Sequence, residues 1–198
     1  MSQGQDEKNT IQGMPTGLSQ ILAQADQART RALPPLDKWN PSYCGEMDLR
    51  IAANGEWWHE GIRMTRQKLV DLFATVLWRE DDRYFLKTPV EKIGIQVEDV
   101  PLLVTQVEQI EADGQTWIQC QTKTGDTVFA DAEHPIFMRA YQGEMRPYIL
   151  IRRNLEALIH RNAFYHLLNM ADLLEQAGQP IMRLYSGGQV FELSHTAE

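Results

Sequence analysis

Gly45-Glu46-Met47-Asp48-Leu49-Arg50-Ile51-Ala52-Ala53-Asn54-Gly55-Glu56-Trp57-Trp58-His59 is the stretch on which the fold turns. Leu49 and Ile51 alternate with polar neighbours, which is the two-residue period of a half-buried strand. Asn54-Gly55 then interrupts the run. A type I′ turn needs φ > 0 at both central residues, so Asn-Gly between alternating segments predicts a β-hairpin. Trp57 and Trp58 are adjacent on the returning strand and must point to opposite faces.

Downstream, Thr65 can cap a helix running to about Arg79, with Leu69, Leu72, Phe73, Val76 and Leu77 forming one apolar stripe. Two short strands follow at 84–88 and 93–97, broken by Pro89. Beyond Pro101 the pattern reads as a meander, with strands over 102–111, 115–122, 127–130, 136–140 and 148–151. A second, long helix is expected from Asn154 to Gln176, stopped by Gly178 and Pro180. A last hairpin, 181–185 with 189–193, turns on Gly187-Gly188. Upstream, residues 1–33 read as a flexible tail holding a short amphipathic helix with Leu18, Ile21, Leu22 and Ala25 on one side. Prolines 34, 35 and 41 then force an extended linker.

Both halves run through strands, a basic residue at a helix start, an amphipathic helix and a closing strand pair. The expected fold class is therefore α+β: two related antiparallel-sheet-plus-helix domains, at 34–101 and 102–198. No segment has βαβ spacing, so neither a parallel sheet nor a nucleotide fold built on one is expected.

Composition narrows the function classes. The chain has 198 residues and a formal net charge of −8, which disfavours nonspecific nucleic-acid binding. No apolar run approaches the roughly 20 residues of a membrane-spanning helix, and no signal-like segment opens the chain. A cytoplasmic location with free thiols at Cys44 and Cys120 is expected. No His or Cys pair has zinc spacing, and no nucleophile elbow, phosphate loop or dinucleotide fingerprint is present. No metal, cofactor or catalytic residue is therefore assigned.

What remains is electrostatic. Arg66 and Lys68 stand in the first turn of the first expected helix, and Arg152 and Arg153 stand at the threshold of the second. Cations are unfavourable there, because a helix N-terminus carries partial positive charge. Two partners would relieve them: the connector acids Glu91, Glu98 and Asp99, or a bound phosphate or carboxylate. The arginine-rich stretch 139–161 admits the same two readings, internal charge balance or an anion site. Of the two tryptophans one is expected in the core, and the other on a ligand ring or at an interface.

Several stretches together resemble the bacterial domain of unknown function family 1285. They include Trp39-Asn40-Pro41, Gly45-Glu46-Met47-Asp48, Asn54-Gly55-Glu56-Trp57, Thr88-Pro89-Val90-Glu91-Lys92, Glu98-Asp99-Val100-Pro101, Pro147-Tyr148 and Arg153 with Leu155-Glu156-Ala157. The match spans about residues 35–170. The resemblance implies a duplicated core whose second domain is pleckstrin-homology-like. It also implies a site between the domains for a nucleotide-like ligand, with a role in signal transduction.

The leading expectation is thus a non-catalytic protein binding an anionic, nucleotide-like small molecule. Arg66, Arg153 and Arg161 would supply charge, Trp57 or Tyr148 stacking, and Thr88, Glu91 and Lys92 connector contacts. A protein–protein adaptor is the alternative from another class, and a hydrolase with an unrecognised site is the third.

Overall fold

The computed structural model describes residues 33–193 apart from 113 and 177. The amphipathic segment expected within 16–32 lies outside the described residues. A 3-10 turn, Leu36–Lys38, opens the described chain and buries Leu36. The strands that follow are β1 (Tyr43–Ile51), β2 (Trp57–His59) and β3 (Ile62–Arg63), then helix α1 (Gln67–Thr75), then β4 (Leu77–Glu80), β5 (Arg83–Lys87) and β6 (Lys92–Val97). After them come β7 (Leu102–Ala112), β8 (Gln115–Thr122), β9 (Thr127–Phe129), β10 (Ile136–Tyr141), β11 (Glu144–Arg152) and β12 (Leu155–Ile159). Helix α2 (Arg161–Met170) and strands β13 (Asp172–Gln176), β14 (Gln179–Ser186) and β15 (Gln189–Glu192) complete the fold.

The first sheet has the order β3-β2-β1-β6-β5-β4 and the second β10-β11-β12-β7-β8-β9. Read from its other end, the second is the first with every number raised by six. The α+β duplication is therefore real, and it resides in the sheets. The helices do not correspond: α1 joins the third and fourth strands of its sheet, whereas α2 follows the sixth strand of its own.

One expectation about direction is corrected at the centre of the second sheet. β12 pairs β7 in parallel, with Ala157, Leu158 and Ile159 opposite Leu102, Leu103 and Val104. No helical crossover is needed, because the four intervening strands bring the chain back. His160 N–H then donates to Val104 O (2.9 Å). In the first sheet Glu98 N–H donates to Ile51 O (3.0 Å) in the same way.

By packing, the chain falls into two compact units. One comprises the described residues up to Leu49 together with His59–Gln96, and the other Arg50–Trp58 with Val97 onwards. Leu69, Val70, Phe73 and Ala74 form the buried side of α1, as helical spacing dictates, and join Leu49, Leu77, Leu86, Ile93 and Ile95 in the core of the first unit. The second unit buries Leu102, Val104, Ile118, Cys120, Ile149, Ile151, Leu155 and Ile159 beneath Ala163 and Leu167 of α2. The three-stranded sheet β13-β14-β15 is held to this unit by Ser186, whose Oγ accepts Ile118 N–H (2.8 Å) and donates to Ala130 O (2.6 Å).

Both expected helices are shorter than their patterns implied. The first ends at Thr75, and Leu77-Trp78-Arg79-Glu80 pairs with Arg83–Lys87 as a strand. The second is corrected more deeply, since 154–176 is strand, helix and strand. Leu155, Ala157 and Ile159 are buried while Glu156 and Leu158 are half-exposed, so the period there is two. Arg153 takes φ = +52° in the tight turn from β11, and His160 supplies the true cap, its Nδ1 accepting Asn162 N–H (3.3 Å).

Candidate functional site

Alternation on the outer strands of the first unit gathers cations and aromatic rings on one sheet face. Trp78 and Glu80 of β4 stand opposite Phe85 and Arg83 of β5, while Phe85 and Lys87 stand opposite Gly94 and Lys92 of β6. Glycine at 94 leaves room on this face: a Cβ there would overlap the Glu46 carboxylate from β1. Glu46 in turn accepts Arg83 Nη2 (2.6 Å) and the Tyr43 hydroxyl (2.6 Å). The Arg83 guanidinium lies over both Tyr43 (5.3 Å) and Phe85 (5.1 Å). Lys87 Nζ sits 3.8 Å from the centre of the Trp78 ring, although the residue is buried. Such contacts stabilise a desolvated cation by about 2 kcal/mol.

Lys92 completes this face. Its Nζ lies 2.6 Å from Glu80 Oε2 and 5.1 Å from the Phe85 ring, so the pair passes above the strand between them. The Lys92 hydrogen bond is the main reason that the Glu80 carboxyl sits below its ordinary pKa, with Trp78 Nε1 contributing a second donor.

The second unit carries a comparable cluster on β10, β11 and β12. Arg139 stands opposite Arg146, and Phe137 stands opposite Tyr148. Like charges directly opposed across a sheet are destabilising, so acids must intervene. Asp99, almost fully buried, lies 3.7 Å from Arg139 and 3.5 Å from Arg146 and accepts the Tyr148 hydroxyl (2.8 Å). Glu156 of β12 accepts Arg139 Nη1 (2.7 Å), again across the intervening strand, with the Arg139 guanidinium 4.2 Å from the Tyr148 ring. Burial, reinforced by the bond to Asp99, pushes the Tyr148 phenol up to about 12. Alongside Asp99, Glu98 accepts Ala53 N–H (2.9 Å) and pairs with Arg50, and these two contacts hold its carboxyl below the usual range.

The candidate residues divide between the two units. In the first unit Thr88 is fully buried, its hydroxyl accepting Glu91 N–H (3.0 Å) and donating to Glu91 O (3.3 Å), so Thr88 and Glu91 close the β5–β6 loop beside Lys92. Arg66 caps α1 with its backbone, has an exposed side chain, and with Lys68 forms no ion pair among the described residues. In the second unit Trp57 is 3% exposed and Tyr148 fully buried, so both rings face inward. Arg161 folds onto its own helix, Nε donating to the Tyr165 hydroxyl (3.0 Å). Arg152 ends β11 and Arg153 lies in the turn to β12, so neither starts a helix; Arg152 pairs with Asp126. Arg161 is the cation that begins α2.

Sequence reasoning missed Tyr43, Glu46, Trp78, Arg83, Phe85 and Lys87. The available signal was the alternation Arg83-Phe85-Lys87 mirrored by Trp78 and Glu80 about Asp81-Asp82, hidden while 65–79 was read as helix. Among the described residues no group of three or more His, Cys, Asp or Glu could hold a metal, and no helix is long and apolar enough to cross a membrane.

The family model described as "Domain of unknown function (DUF1285), N-terminal domain" matches residues 34–100, and that described as "Protein of unknown function (DUF1285), C-terminal domain" matches 101–193. The chain belongs to the DUF1285 family. It is similar to a solved DUF1285 family protein from Silicibacter pomeroyi, with 36% identity over 87% of this chain and 93% of that one, at a TM-score of 0.76. A second solved DUF1285 family protein, from Shewanella baltica, is 30% identical over 62% of this chain and 91% of that one, with a TM-score of 0.50. No curated protein matches the chain. For this DUF1285 protein, then, similarity supports the duplicated two-domain architecture, and chemistry has to be read from the two clusters.

Proposed function

We propose that this protein is a non-catalytic, cytoplasmic ligand-binding component of bacterial signalling, taking an anionic, nucleotide-like small molecule. The observation that supports the reading is the face of the first unit on which Arg83, Lys87 and Lys92 lie over Tyr43, Phe85 and Trp78. A base stacks on an exposed ring such as Tyr43, while a phosphate takes the Arg83 fork. Glu46 now occupies that fork, so an incoming phosphate competes with a carboxylate. Removing the Glu46 charge should therefore tighten binding, and removing Arg83 should abolish it.

The test is thermal unfolding of the full chain with mononucleotides and cyclic dinucleotides, using inorganic phosphate and adenosine as controls. Ligand at 100 times Kd adds about 2.7 kcal/mol, or roughly 5–10 °C in a chain of this size. Arg83→Ala should lose the shift and Glu46→Gln enlarge it. No shift with any nucleotide at millimolar concentration, or an unchanged shift in Arg83→Ala, overturns the proposal. A second reading, an adaptor that docks another chain, is favoured by the edge strand β13.

A further inference from the structure

Duplication supplies an internal comparison for the arginines of the second unit. Phe85 stands opposite Trp78 on one side and Gly94 on the other, as Tyr148 stands opposite Phe137 and Leu158. Arg83 and Arg146, each two residues before that aromatic, are therefore equivalent. Arg83 faces an acid, Glu80, and is closed by Glu46 at 2.6 Å. Arg146 faces a second arginine, Arg139, and its two carboxylate contacts are long, 3.5 Å to Asp99 and 3.7 Å to Glu144. Charge-assisted N–H···O bonds run at about 2.7–2.9 Å. Asp99 gives its short contact, 2.8 Å, to the Tyr148 hydroxyl. The fork that is closed in the first unit is thus open in the second.

We propose that Arg139 and Arg146 together bind the carboxylate group of a small organic acid. The two guanidinium groups lie side by side, because Arg139 approaches Oδ1 of Asp99 and Arg146 approaches Oδ2 of the same carboxylate. Asp99 lies beneath them with 3% of its side chain exposed, whereas Arg139 and Arg146 keep 41% and 26% of theirs in solvent. Aromatic rings hold both in place, Tyr148 at 4.2 Å from Arg139 and Tyr141 at 4.5 Å from Arg146. Glu156 bonds Arg139 through Nη1. A carboxylate arriving from solvent bridges the pair from above, as Asp99 does from below, and supplies the short acceptor that Arg146 lacks. Glu144, on the exposed rim, leaves Arg146 as the ligand enters, so one negative charge replaces another. That exchange favours a monoanion. A phosphate dianion would set a surplus charge against Asp99 and Glu156. The site lies wholly within the second unit and shares no residue with the Arg83 face.

Propionate titrated into the full chain reads this directly, through the side-chain Nε–Hε resonances of Arg139 and Arg146. Both should move together and saturate. Arg146→Gln should weaken binding, followed at Arg139, by about tenfold or more. Because that variant also loses its contact to Asp99, Glu144→Gln on the exposed rim gives an independent reading and should tighten binding about threefold. No saturable movement at roughly 0.1 M propionate overturns the proposal. So does an equal response to chloride or inorganic phosphate, or a Glu144→Gln chain that binds propionate no more tightly than the wild type.

Discussion

Glu80 and Lys92 lie on strands that are not neighbours, and their side chains meet at 2.6 Å over Phe85 of the strand between. Arg139 and Glu156 do the same over Tyr148, at 2.7 Å, in the topologically equivalent strands of the second unit. The signs are exchanged: the outermost strand carries the acid in one copy and the base in the other. Duplication has preserved a bridge across three strands while its two ends traded charge.

The first bridge should tolerate reversal. With Glu80 and Lys92 partly exposed, the pair contributes about 0.5–1 kcal/mol. Glu80→Lys alone places three lysines around Phe85 and should destabilise by about 1 kcal/mol or more. Adding Lys92→Glu should recover most of that in a urea double-mutant cycle. Because Lys92 lowers the Glu80 pKa, the wild-type contribution is present above the ordinary value of 4.5 and fades as pH falls below it. A reversed pair no more stable than the single variant would show that the bridge does not couple the two strands.

Gly94 and Glu46 should be coupled. A Cβ at 94 displaces the Glu46 carboxylate from Arg83 and Tyr43, so Gly94→Ala and Glu46→Ala remove the same contacts. Each should cost about 1 kcal/mol, and the double variant should cost no more than the larger single one. Additive losses in chemical denaturation would contradict the overlap.

Alkaline stability should depend on Tyr148. Its phenol is raised from 10 to about 12, so the native state favours the neutral form. The sign follows from linkage: the contribution is complete below pH 10 and is lost as pH rises towards 12. Tyr148→Phe should flatten the fall in stability over that window. Absorbance at 295 nm should show a late ionisation, displaced towards pH 12, that Tyr148→Phe removes, and an alkaline titration unchanged by that substitution would count against the buried contact with Asp99.

The thiols should differ sharply. Cys44 is exposed, whereas burial pushes the Cys120 thiol up to about 12. A chromogenic disulfide reagent should titrate one equivalent from the native chain and a second only after unfolding. Two fast equivalents would place Cys120 outside the core.

Local turn chemistry made two of the hairpins legible, because Asn54-Gly55 and Gly187-Gly188 fix where strands return. Leu69 and Phe73 likewise disclosed α1 through spacing alone. The failure at 155–159 has one cause: Leu155, Leu158 and Ile159 satisfy a helical stripe while Leu155, Ala157 and Ile159 satisfy a strand. Pairing with β7 and β11 decided between them, and those partners lie elsewhere in the chain. The clusters were half legible for the same reason. Asp99 and the arginine-rich stretch were visible as charges, but Arg139 opposite Arg146 is a fact of register.

The exchanged bridge also bears on how such a chain avoids folding onto itself wrongly. Internal repeats risk intercalation, in which a strand of one copy takes its cognate's place in the other. Were β12 to dock beside β5 in the place of β6, Glu156 would approach Glu80, acid against acid. Lys92 offered to Arg139 would fail as base against base. Opposite polarity gives each copy a mark by which its own strands are sorted from their twins.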